Sequence, residues 1–521
     1  MVPGGVLLPA SLECDKVIFI LNTGINMEIY PEFSEFEKLA GNYNLVPVWT
    51  EFLADLETPV GVFMKLTSNS ETNFLLESVE QGGKLGRYSF IGIQPRELFK
   101  STGNTVEFVN EEGNVKKITT IDPLSELEKI VSYYRQPEDV RLPAFAGGAV
   151  GYISYDYVRF IEKLPEILPS DFLFPELYFQ MCFDLVVFDH LKRKIQIISN
   201  AKIKKGQSLK NSYKKSCEKI ESIISMIRKP IPYFRNNSAV DAGKFISNYK
   251  QDEFESAVTK AKKYIRAGDI IQVVLSQKWE RNIDVSPLSV YRSLRSVNPS
   301  PYMFYLNFPG IYLVGSSPEI LVRCNGSDAL LRPIAGTRPR GKDDAEDEKL
   351  AEELKKDIKE IAEHIMLVDL GRNDLGRVCR FGSVKVTDLM FVEKYSHVMH
   401  LVTNVVGKLA KGKNYFDLVR ACFPAGTVSG APKIRAMEII EELEKSRRSV
   451  YAGAVGYFGF HSDMDFCITI RTMFGSADKI YIQAGAGIVA DSVPEKEYIE
   501  TINKAKALML AYENAKKMDA I

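Results

Sequence analysis

The chain has 521 residues, 45% of them hydrophobic and 26% charged, which is the composition of an ordinary globular protein. Its 67 basic and 67 acidic residues give zero net charge, which argues against nucleic acid or a membrane surface as a partner. No run of about 18 apolar residues predicts a membrane-spanning helix. The 7 cysteines include no C-x-x-C pair, so a reducing cytoplasm is favoured over a disulfide framework or a zinc site.

Three regions of the chain differ in texture. Residues 1–26 show no clear amphipathic period and are interpreted as an N-terminal extension. Residues 27–230 contain short apolar runs such as GVFMKL, NFLLESV and FDLVVFDH, which predict a strand-rich region. A polar stretch at 236–241 separates it from residues 245–515, where helices and strands alternate and the distinctive chemistry lies. Length alone favours two or three domains.

A single long amphipathic helix is predicted over residues 343–371, where apolar residues recur every three or four positions. At about 100° per residue, Glu360 and Glu363 lie close together on this helix and off its apolar stripe. Taken alone, such a pair is typical of a solvated helix face.

Two candidate features follow this helix. His400, in KYSHVMHLV, can carry a proton because the pKa of histidine lies near neutrality, although a histidine among apolar residues more often belongs to the core. The segment PAGTVSGAPK at 424–433 runs into the predicted helix IRAMEIIEELE and places Thr427, Ser429 and backbone N–H groups at a helix N-terminus, which favours an anion. It lacks the pattern of a Walker A loop, and a structural turn is the alternative.

An arginine and a second glycine-rich segment lie nearer the C-terminus. Arg471 falls in the predicted strand CITIRTM, where a guanidinium flanked by apolar residues needs a partner, and a carboxylate suits its planar shape. QAGAGIV at 483–489 is predicted to form a turn that presents Gly485 and Gly487.

The last predicted helix, which begins near Pro494, carries a second acidic pair. Glu497 and Glu500 have the same i, i+3 spacing as Glu360 and Glu363. Four carboxylates on two helices can build an oxygen-rich site for Mg²⁺. Spacing alone leaves two solvated helix faces as the alternative.

Together these segments resemble the chorismate-utilising family, which includes anthranilate, aminodeoxychorismate, isochorismate and salicylate synthases. The resemblance covers roughly residues 58–515. It implies an α+β fold in which large β-sheets surround a central cleft with helices outside, as one intertwined unit rather than separate domains. It is carried by AGDIIQVVLSQ, GSSPEILV, RPIAGTRPRG, KEIAEHIMLVDLGRNDLGRV, SHVMHLVTNVVG, FPAGTVSGAPKIRAMEIIEELE, YAGAVGYFGF, CITIRTM and AGAGIVADSVPEKEYIETINKA.

Two positions separate members of this family by their chemistry. Members that add water to chorismate carry a lysine base where this sequence has Gln272, and an amide cannot deprotonate water near neutral pH. Aminodeoxychorismate synthases typically carry a lysine nucleophile where this sequence has Ala335. The resemblance therefore implies a lyase that aminates chorismate to anthranilate and releases pyruvate. An aminodeoxychorismate synthase and a catalytically silent, tryptophan-sensing chain are the alternatives.

The resemblance also implies residue roles. Glu363 and Glu500 would ligate Mg²⁺ directly, and Glu360 and Glu497 would hold it through water. Glu319 would donate a proton to the departing hydroxyl, and His400 would then remove the proton at the aminated carbon. The substrate would be lined by Gln272, Ala335, Thr427, Tyr451, Arg471, Gly485 and Gly487, with Thr427 taking part in catalysis and an ion pair as the alternative role of Glu319.

A regulatory site and a partner are also implied. LLES at 75–78 and NPSPYMFY at 298–305 match segments that flank a tryptophan pocket for feedback inhibition in the family's anthranilate branch. A plain strand and a proline turn are the alternatives. Because free ammonia is scarce at neutral pH, a separate glutamine amidotransferase subunit is expected, in a heteromer such as a heterotetramer. The tryptophan pocket would be formed by Glu77, Ser78, Asn298, Pro301, Tyr302 and Met303.

Overall fold

The computed structural model describes residues 28–519, except for 68–69, 79–85, 170–173, 233–242 and 395–397. The predicted extension at 1–26 lies outside these residues. The strands are β1 (Leu45–Leu53), β2 (Asn73–Glu77), β3 (Tyr88–Gly92), β4 (Glu97–Thr102), β5 (Thr105–Val109), β6 (Val115–Thr119), β7 (Gly148–Ile153), β8 (Leu177–Cys182), β9 (Asp184–Asp189), β10 (Lys194–Lys202), β11 (Ile246–Ser247), β12 (Gln272–Asn282), β13 (Tyr302–Phe308), β14 (Ile311–Ser317), β15 (Ile320–Asn325), β16 (Asp328–Leu331), β17 (Ile334–Pro339), β18 (Lys385–Lys394), β19 (Val398–Lys408), β20 (Gly430–Ala431), β21 (Ala454–Gly459), β22 (Asp463–Ile468), β23 (Thr472–Gly475) and β24 (Lys479–Ile488).

Helices cover the outside of the strands. No helix in the described part of the chain is long and apolar enough to cross a membrane. Short 3₁₀ helices span Tyr155–Phe160 and Gly426–Val428. The α-helices are α1 (Phe33–Ala40), α2 (Pro59–Thr67), α3 (Pro123–Tyr133), α4 (Leu209–Ile227), α5 (Gln251–Ala267), α6 (Pro287–Val297), α7 (Asp344–Lys356), α8 (Ile358–Gly376), α9 (Tyr415–Cys422), α10 (Lys433–Leu443) and α11 (Pro494–Asp519).

The strands form two 12-stranded sheets with antiparallel pairing. The first runs β1-β10-β9-β3-β2-β13-β14-β23-β24-β12-β11, with β20 also paired to β12. The second runs β17-β19-β16-β15-β22-β21-β7-β8-β4-β5-β6, with β18 also paired to β19. Both sheets contain strands from 27–230 and from 245–515: β2 pairs with β13 in the first, and β7 pairs with β21 in the second. The two halves of the chain therefore share one pair of sheets.

The core between the sheets follows from side-chain alternation. Phe74 of β2 and Phe304 of β13 are fully buried and pack with residues of the second sheet, such as Phe458. The neighbouring Leu75 points to the opposite face, into a cluster formed with helices α2, α4 and α11. Because side chains alternate along a strand, strands of the first sheet such as β2, β13 and β14 contribute side chains to both clusters. Burying each such apolar side chain contributes about 1.5–3 kcal/mol.

Two expectations about local structure are wrong. The run GVFMKL, read as a strand, lies in α2, where it is almost wholly buried. The composition of this run could not distinguish a short buried helix from a buried strand. Either element can be apolar on all sides, and the run then shows no periodicity. The glycine-rich segment 483–489 was expected to form a turn, but all of it except Val489 lies in β24, paired with β12.

Candidate active site

Helices α8 and α11 carry the four predicted metal ligands, and their charges lie close enough to influence one another. The sequence predicted one unbroken helix over 343–371, which is wrong because the helix stops at Asp357 and restarts. Asp357 is extended, and its carboxylate accepts hydrogen bonds from the backbone N–H groups of Lys359 and Glu360, which caps α8. The capped start of α8 fixes the orientation of the first acidic pair.

The acidic pairs of the two helices repel each other electrostatically. Burial in the cleft raises the pKa of Glu363, and the negative charges of Glu360 and Glu500 add to the rise. Burial also raises the pKa of Glu497, with contributions from Glu500 and Glu363. Mutual repulsion of carboxylates is relieved by a cation. The structure therefore assembles the acids that the sequence singled out.

The donor set suits magnesium in its chemistry. All four side chains offer carboxylate oxygens, which Mg²⁺ prefers, and it commonly retains water in place of further protein ligands. As the side chains stand, no three acidic, histidine or cysteine groups among the described residues are gathered closely enough to enclose an ion. Lys504 contributes a positive charge instead, with Nζ 2.7 Å from Glu500 Oε1 and 2.9 Å from the carbonyl oxygen of Gly485.

Glu319 lies just after β14 and faces a cavity of about 50 Å³ that Thr427 also lines. Burial raises the pKa of Glu319 to about 7, while the nearby Thr427 hydroxyl and Arg471 guanidinium limit the rise. Thr427 lies in the 3₁₀ turn before α10, and its buried hydroxyl is near enough to Glu319 to act on its pKa but forms no hydrogen bond of normal geometry with a described residue. The ion pair considered as an alternative role of Glu319 is not formed with any described residue. A carboxyl with this pKa can exchange a proton near neutral pH.

Arg471 was expected inside a strand, but it occupies the break between β22 and β23. Its φ of 51° lies in the left-handed region, which is uncommon for a non-glycine residue and clusters at functional sites. The backbone carbonyl of Arg471 accepts a hydrogen bond from Ser316 N at 3.1 Å. The side-chain charge acts on Tyr451, Glu319 and Glu500, so the guanidinium belongs to the same cleft.

His400 lies on β19, opposite Thr337 of β17. Its Nδ1 is 2.9 Å from the carbonyl oxygen of Gly336 and 3.1 Å from Thr337 Oγ1. A carbonyl oxygen only accepts, so Nδ1 carries the hydrogen and Nε2 of the neutral ring is the acceptor. Burial lowers the pKa of His400, opposed by the bond to Gly336. The neutral, base-competent form is therefore favoured near pH 7.

The glycines of β24 make room for side chains of the site. A Cβ on Gly487 would lie 2.5 Å from Gln272 Nε2, and one on Gly485 would lie 2.8 Å from the Tyr451 hydroxyl. Gln272 is buried at the start of β12, with Nε2 3.4 Å from Glu363 Oε1. Glycine is thus needed here for close approach rather than for a turn. Ala335 is buried on β17 and pairs with Leu401, the neighbour of His400.

A second cavity, of about 360 Å³, lies at the junction of β2 and β13. It is lined by five of the predicted tryptophan-site residues, namely Glu77, Ser78, Pro301, Tyr302 and Met303. Asn298 is not among its lining residues; it ends α6 and hydrogen-bonds Ser316 Oγ. The prediction for Asn298 came from the match of the segment 298–305 to the family, and only the later residues of that segment line the cavity.

Charges in this second cavity are paired. Glu77 accepts hydrogen bonds from Tyr291 at 2.5 Å and from Arg295 at 2.9 Å. Asp465 accepts from Arg323 at 2.8 Å and from the Tyr302 hydroxyl at 3.0 Å. Sequence reasoning missed Arg323 and Asp465, which lie on adjacent strands but 142 positions apart in the chain. Lys504 was also missed, although it stands four positions after Glu500, where an ion pair is expected on a helix.

The chain belongs to the family of chorismate binding enzymes, whose sequence model matches residues 71–510. The predicted fold class is confirmed. Anthranilate synthase component 1 of Aquifex aeolicus (strain VF5) is 46% identical over 493 residues, covering 94% of this chain and 99% of that protein. Anthranilate synthase component I from Streptococcus pneumoniae TIGR4 has a TM-score of 0.73 at 36% identity, covering 88% of this chain and 99% of that one. A menaquinone-specific isochorismate synthase from Escherichia coli, with a TM-score of 0.67 at 19% identity and coverage of 92% and 98%, shares the fold.

Proposed function

We propose that this chain converts chorismate and ammonia to anthranilate and pyruvate, the first committed step of tryptophan biosynthesis. Support comes from two relatives that are called anthranilate synthase component 1 or I. This chain matches nearly the whole length of each of them. The observation that carries the choice within the family is the absence of lysine at two positions of the cleft. Gln272 contacts Glu363, and Ala335 lies beside the strand of His400.

The first half-reaction replaces the ring hydroxyl of chorismate by ammonia at a different ring carbon. Ammonia adds next to the carbon that bears the carboxylate, and the hydroxyl leaves from the opposite end of the diene as water. Glu319 is placed to supply the proton, because with a pKa of about 7 it is substantially protonated at neutral pH. The Thr427 hydroxyl, which forms no hydrogen bond of normal geometry with a described residue, is available to the substrate.

The second half-reaction makes the ring aromatic. His400 Nε2 accepts the proton from the aminated carbon as the bond between the ring and the enolpyruvyl oxygen breaks, and the released enolate takes up a proton at its methylene carbon to give pyruvate. Arg471 and Tyr451 would hold the enolpyruvyl carboxylate, since a guanidinium binds a carboxylate through two parallel hydrogen bonds. Orientation of a bound substrate against these groups supplies much of the rate enhancement.

Magnesium is part of this proposal. Glu363 and Glu500 would hold it directly, with Glu360 and Glu497 acting through water. Compensation of the charge of the ring carboxylate is the chemistry that Mg²⁺ supplies when bound. The cluster of mutually repelling carboxylates supports this assignment.

The proposal extends to partners and regulation. Component 1 in the names of the relatives points to a second component, and we assign it as a glutamine amidotransferase that delivers ammonia. Tryptophan would bind in the cavity beside Glu77 and inhibit the enzyme, since the 360 Å³ cavity combines apolar walls with paired charges that suit a zwitterion. Buried free cysteines in the described structure fit a reducing cytoplasm.

One assay tests the central proposal. The purified chain is mixed with chorismate, Mg²⁺ and ammonium at alkaline pH, and anthranilate is followed by fluorescence while the products are separated by chromatography. Anthranilate and pyruvate should form in equal amounts. Isochorismate or 4-amino-4-deoxychorismate as the end product would reject the choice within the family, and unchanged chorismate would favour the silent, tryptophan-sensing alternative.

A further inference from the structure

Arg448, in the segment after α10, is the largest fully buried side chain among the described residues, with 1% of its surface exposed. Its guanidinium donates to the carbonyl oxygen of Val428 at 2.6 Å and to that of Val274 at 2.7 Å. It also donates twice to Glu444, at 2.6 and 3.0 Å. A planar guanidinium with several fixed donors can join separate segments in this way, whereas an ammonium or an apolar side chain cannot.

The two carbonyl oxygens belong to the backbone of the proposed active site. Val428 follows Thr427 in the 3₁₀ turn, and Val274 lies two residues after Gln272 on β12. These segments meet where Val274 N donates to the carbonyl oxygen of Ser429 at 2.9 Å. Arg448 therefore binds both sides of the same junction from beneath the cleft.

Arg448 also reaches a third substrate-contacting element. Tyr451 N donates to the carbonyl oxygen of Arg448 at 3.1 Å, and the guanidinium lies 5.7 Å from the centre of the Tyr451 ring. Cation–π attraction at this distance favours one placement of the ring. Tyr451 in turn approaches Gly485 of β24. Arg448 therefore contacts three segments that border the cleft, namely β12, the 3₁₀ turn and the segment of Tyr451.

Glu444 completes the network. Its Oε1 accepts from Ser276 N at 2.9 Å and from Ser276 Oγ at 2.8 Å, and Gln483 donates to the same hydroxyl at 2.9 Å. The carboxylate thus neutralises Arg448 and ties it to both β12 and β24. Burial of an ion pair contributes little net stability, because desolvation offsets the attraction. Two apolar side chains in place of Arg448 and Glu444 could fill the same space. Stability alone therefore does not explain why an arginine binds these segments.

We propose that Arg448 is a positioning residue for the reaction, which holds Thr427, Gln272 and Tyr451 in register around chorismate. The inference rests on the proposed function only for the identity of the substrate. Arg448 touches no reacting atom. Its effect passes through the Val428 and Val274 carbonyls and the Tyr451 ring, so its loss should misplace the cleft walls while the sheets stay intact.

Two variants of the full-length chain test this role. Arg448→Lys keeps a charge for Glu444 but cannot bind both carbonyls and the carboxylate together. The double variant Arg448→Met, Glu444→Leu removes both charges, so no unpaired ion is left buried. Both should lower kcat/KM for chorismate by about 100-fold, with KM raised as well as kcat lowered, since small misplacements of contacting groups have effects of this size. Melting temperature and tryptophan binding report whether each variant is folded.

Arg281→Lys is the matched control. Arg281 is also a buried arginine on β12, bound to Asp284 at 3.3 Å and Glu513 at 2.8 Å, but it lies at the far end of the strand. This variant should lose stability without a change in kcat/KM. If the Arg448 variants keep kcat/KM within about threefold of the wild type, or recover it at temperatures where they are folded, Arg448 is a packing residue only. A wild type that makes no anthranilate would instead count against the proposed function.

Discussion

The catalytic cleft and the cavity beside Glu77 are built from the same two sheets, yet their carboxylates are paired to different extents. Glu360 and Glu500 of the cleft are ion-paired with Arg338 and Lys504. In the cleft, burial raises the pKa of Glu319, Glu363 and Glu497, and no counter-ion fully offsets it. In the cavity, Glu77 and Asp465 are each bound by an arginine and a tyrosine hydroxyl.

This difference suits the cleft to catalysis and the cavity to ligand binding. Carboxylates held at raised pKa exchange protons and attract cations, which is what amination and loss of water require. Carboxylates already neutralised by arginine can exchange partners with a zwitterionic ligand without proton transfer. We therefore expect substitutions in the cleft to change turnover, and substitutions in the cavity to change only inhibition.

The largest effect is expected at the acids of α8 and α11. Glu500→Gln or Glu363→Gln should lower activity by about 1000-fold, since loss of about 4 kcal/mol of charge stabilisation gives that factor. Activity against Mg²⁺ concentration and calorimetric Mg²⁺ binding are the measurements. Asp369→Asn, an exposed acid of α8 paired with Arg372, is the control and should behave as the wild type. Full activity of Glu500→Gln in EDTA would remove the metal from the proposal.

Glu319→Gln should lower kcat by about 100- to 10,000-fold, the usual contribution of a general acid. In the wild type, kcat corrected for free ammonia should fall as pH rises through about 7, where Glu319 loses the proton that it donates. The variant should lack this limb of the pH profile. A wild-type limb that persists in Glu319→Gln would assign the acid to another group.

The Glu319 carboxyl should also make the stability of the folded protein depend on pH. Its pKa is raised in the folded state from 4.5 to about 7, so the stability that it contributes is present below about pH 4.5 and lost as pH rises through 7. Thermal melts should therefore show Glu319→Gln gaining Tm relative to the wild type at pH 8 but not at pH 4. Glu442→Gln, an exposed acid of α10, is the control and should show no such difference between the two pH values.

His400→Ala should uncouple the two half-reactions. Chorismate should still be consumed, because amination needs Glu319, while anthranilate formation falls by about 100-fold or more and the aminated, non-aromatic intermediate accumulates. Chromatography distinguishes the two compounds. His461→Ala serves as the control, because His461 contacts the carbonyl oxygen of Gln136 and is not among the residues proposed to bind substrate. Near-normal anthranilate formation by His400→Ala would make His400 a core residue.

The fold and the acid pairs were accessible from sequence because they depend on local spacing and on a dense family resemblance. The break at Asp357 was not, since the apolar period continues across it: Leu354 is fully buried but Ile358 is 83% exposed. The spacing of apolar residues did not indicate that Ile358, at the capped start of α8, would be exposed to solvent. Sequence spacing reports which residues can share a face, not whether the helix is continuous.

Long-range pairings were also beyond sequence reasoning. Arg323 and Asp465 meet only because β15 pairs with β22, and Arg448 reaches Val274 across 174 positions. Gly485 and Gly487 were predicted to line the substrate and to lie in a turn, whereas they lie in β24, because glycine signals a turn more often than a close approach inside a sheet. Each of these errors concerns tertiary contacts that no local pattern encodes.

The cavity has a direct structural link to the cleft. Glu77 of β2 is opposite Met303 of β13, Met303 is opposite Ser316 of β14, and Ser316 N donates to the carbonyl oxygen of Arg471. A ligand that shifts β13 against β14 would therefore act on the backbone of a residue proposed to bind substrate. If tryptophan bound in this cavity weakens the binding of chorismate, linkage requires that chorismate weakens the binding of tryptophan by the same factor.

The smallest effect on turnover, and the largest on inhibition, is expected for Ser78→Phe. Ser78 lines the cavity, and a phenyl ring there would occupy the volume that tryptophan needs, so calorimetry should show affinity lowered by at least about tenfold, or 1.4 kcal/mol. Uninhibited kcat should stay within about twofold of the wild type. Asn298→Ala is the informative control, because Asn298 was predicted to belong to the site but lies outside the cavity. If Asn298→Ala weakens tryptophan binding while Ser78→Phe does not, the inhibitor binds elsewhere, and the contrast between a reactive cleft and a neutralised recognition cavity loses its second half.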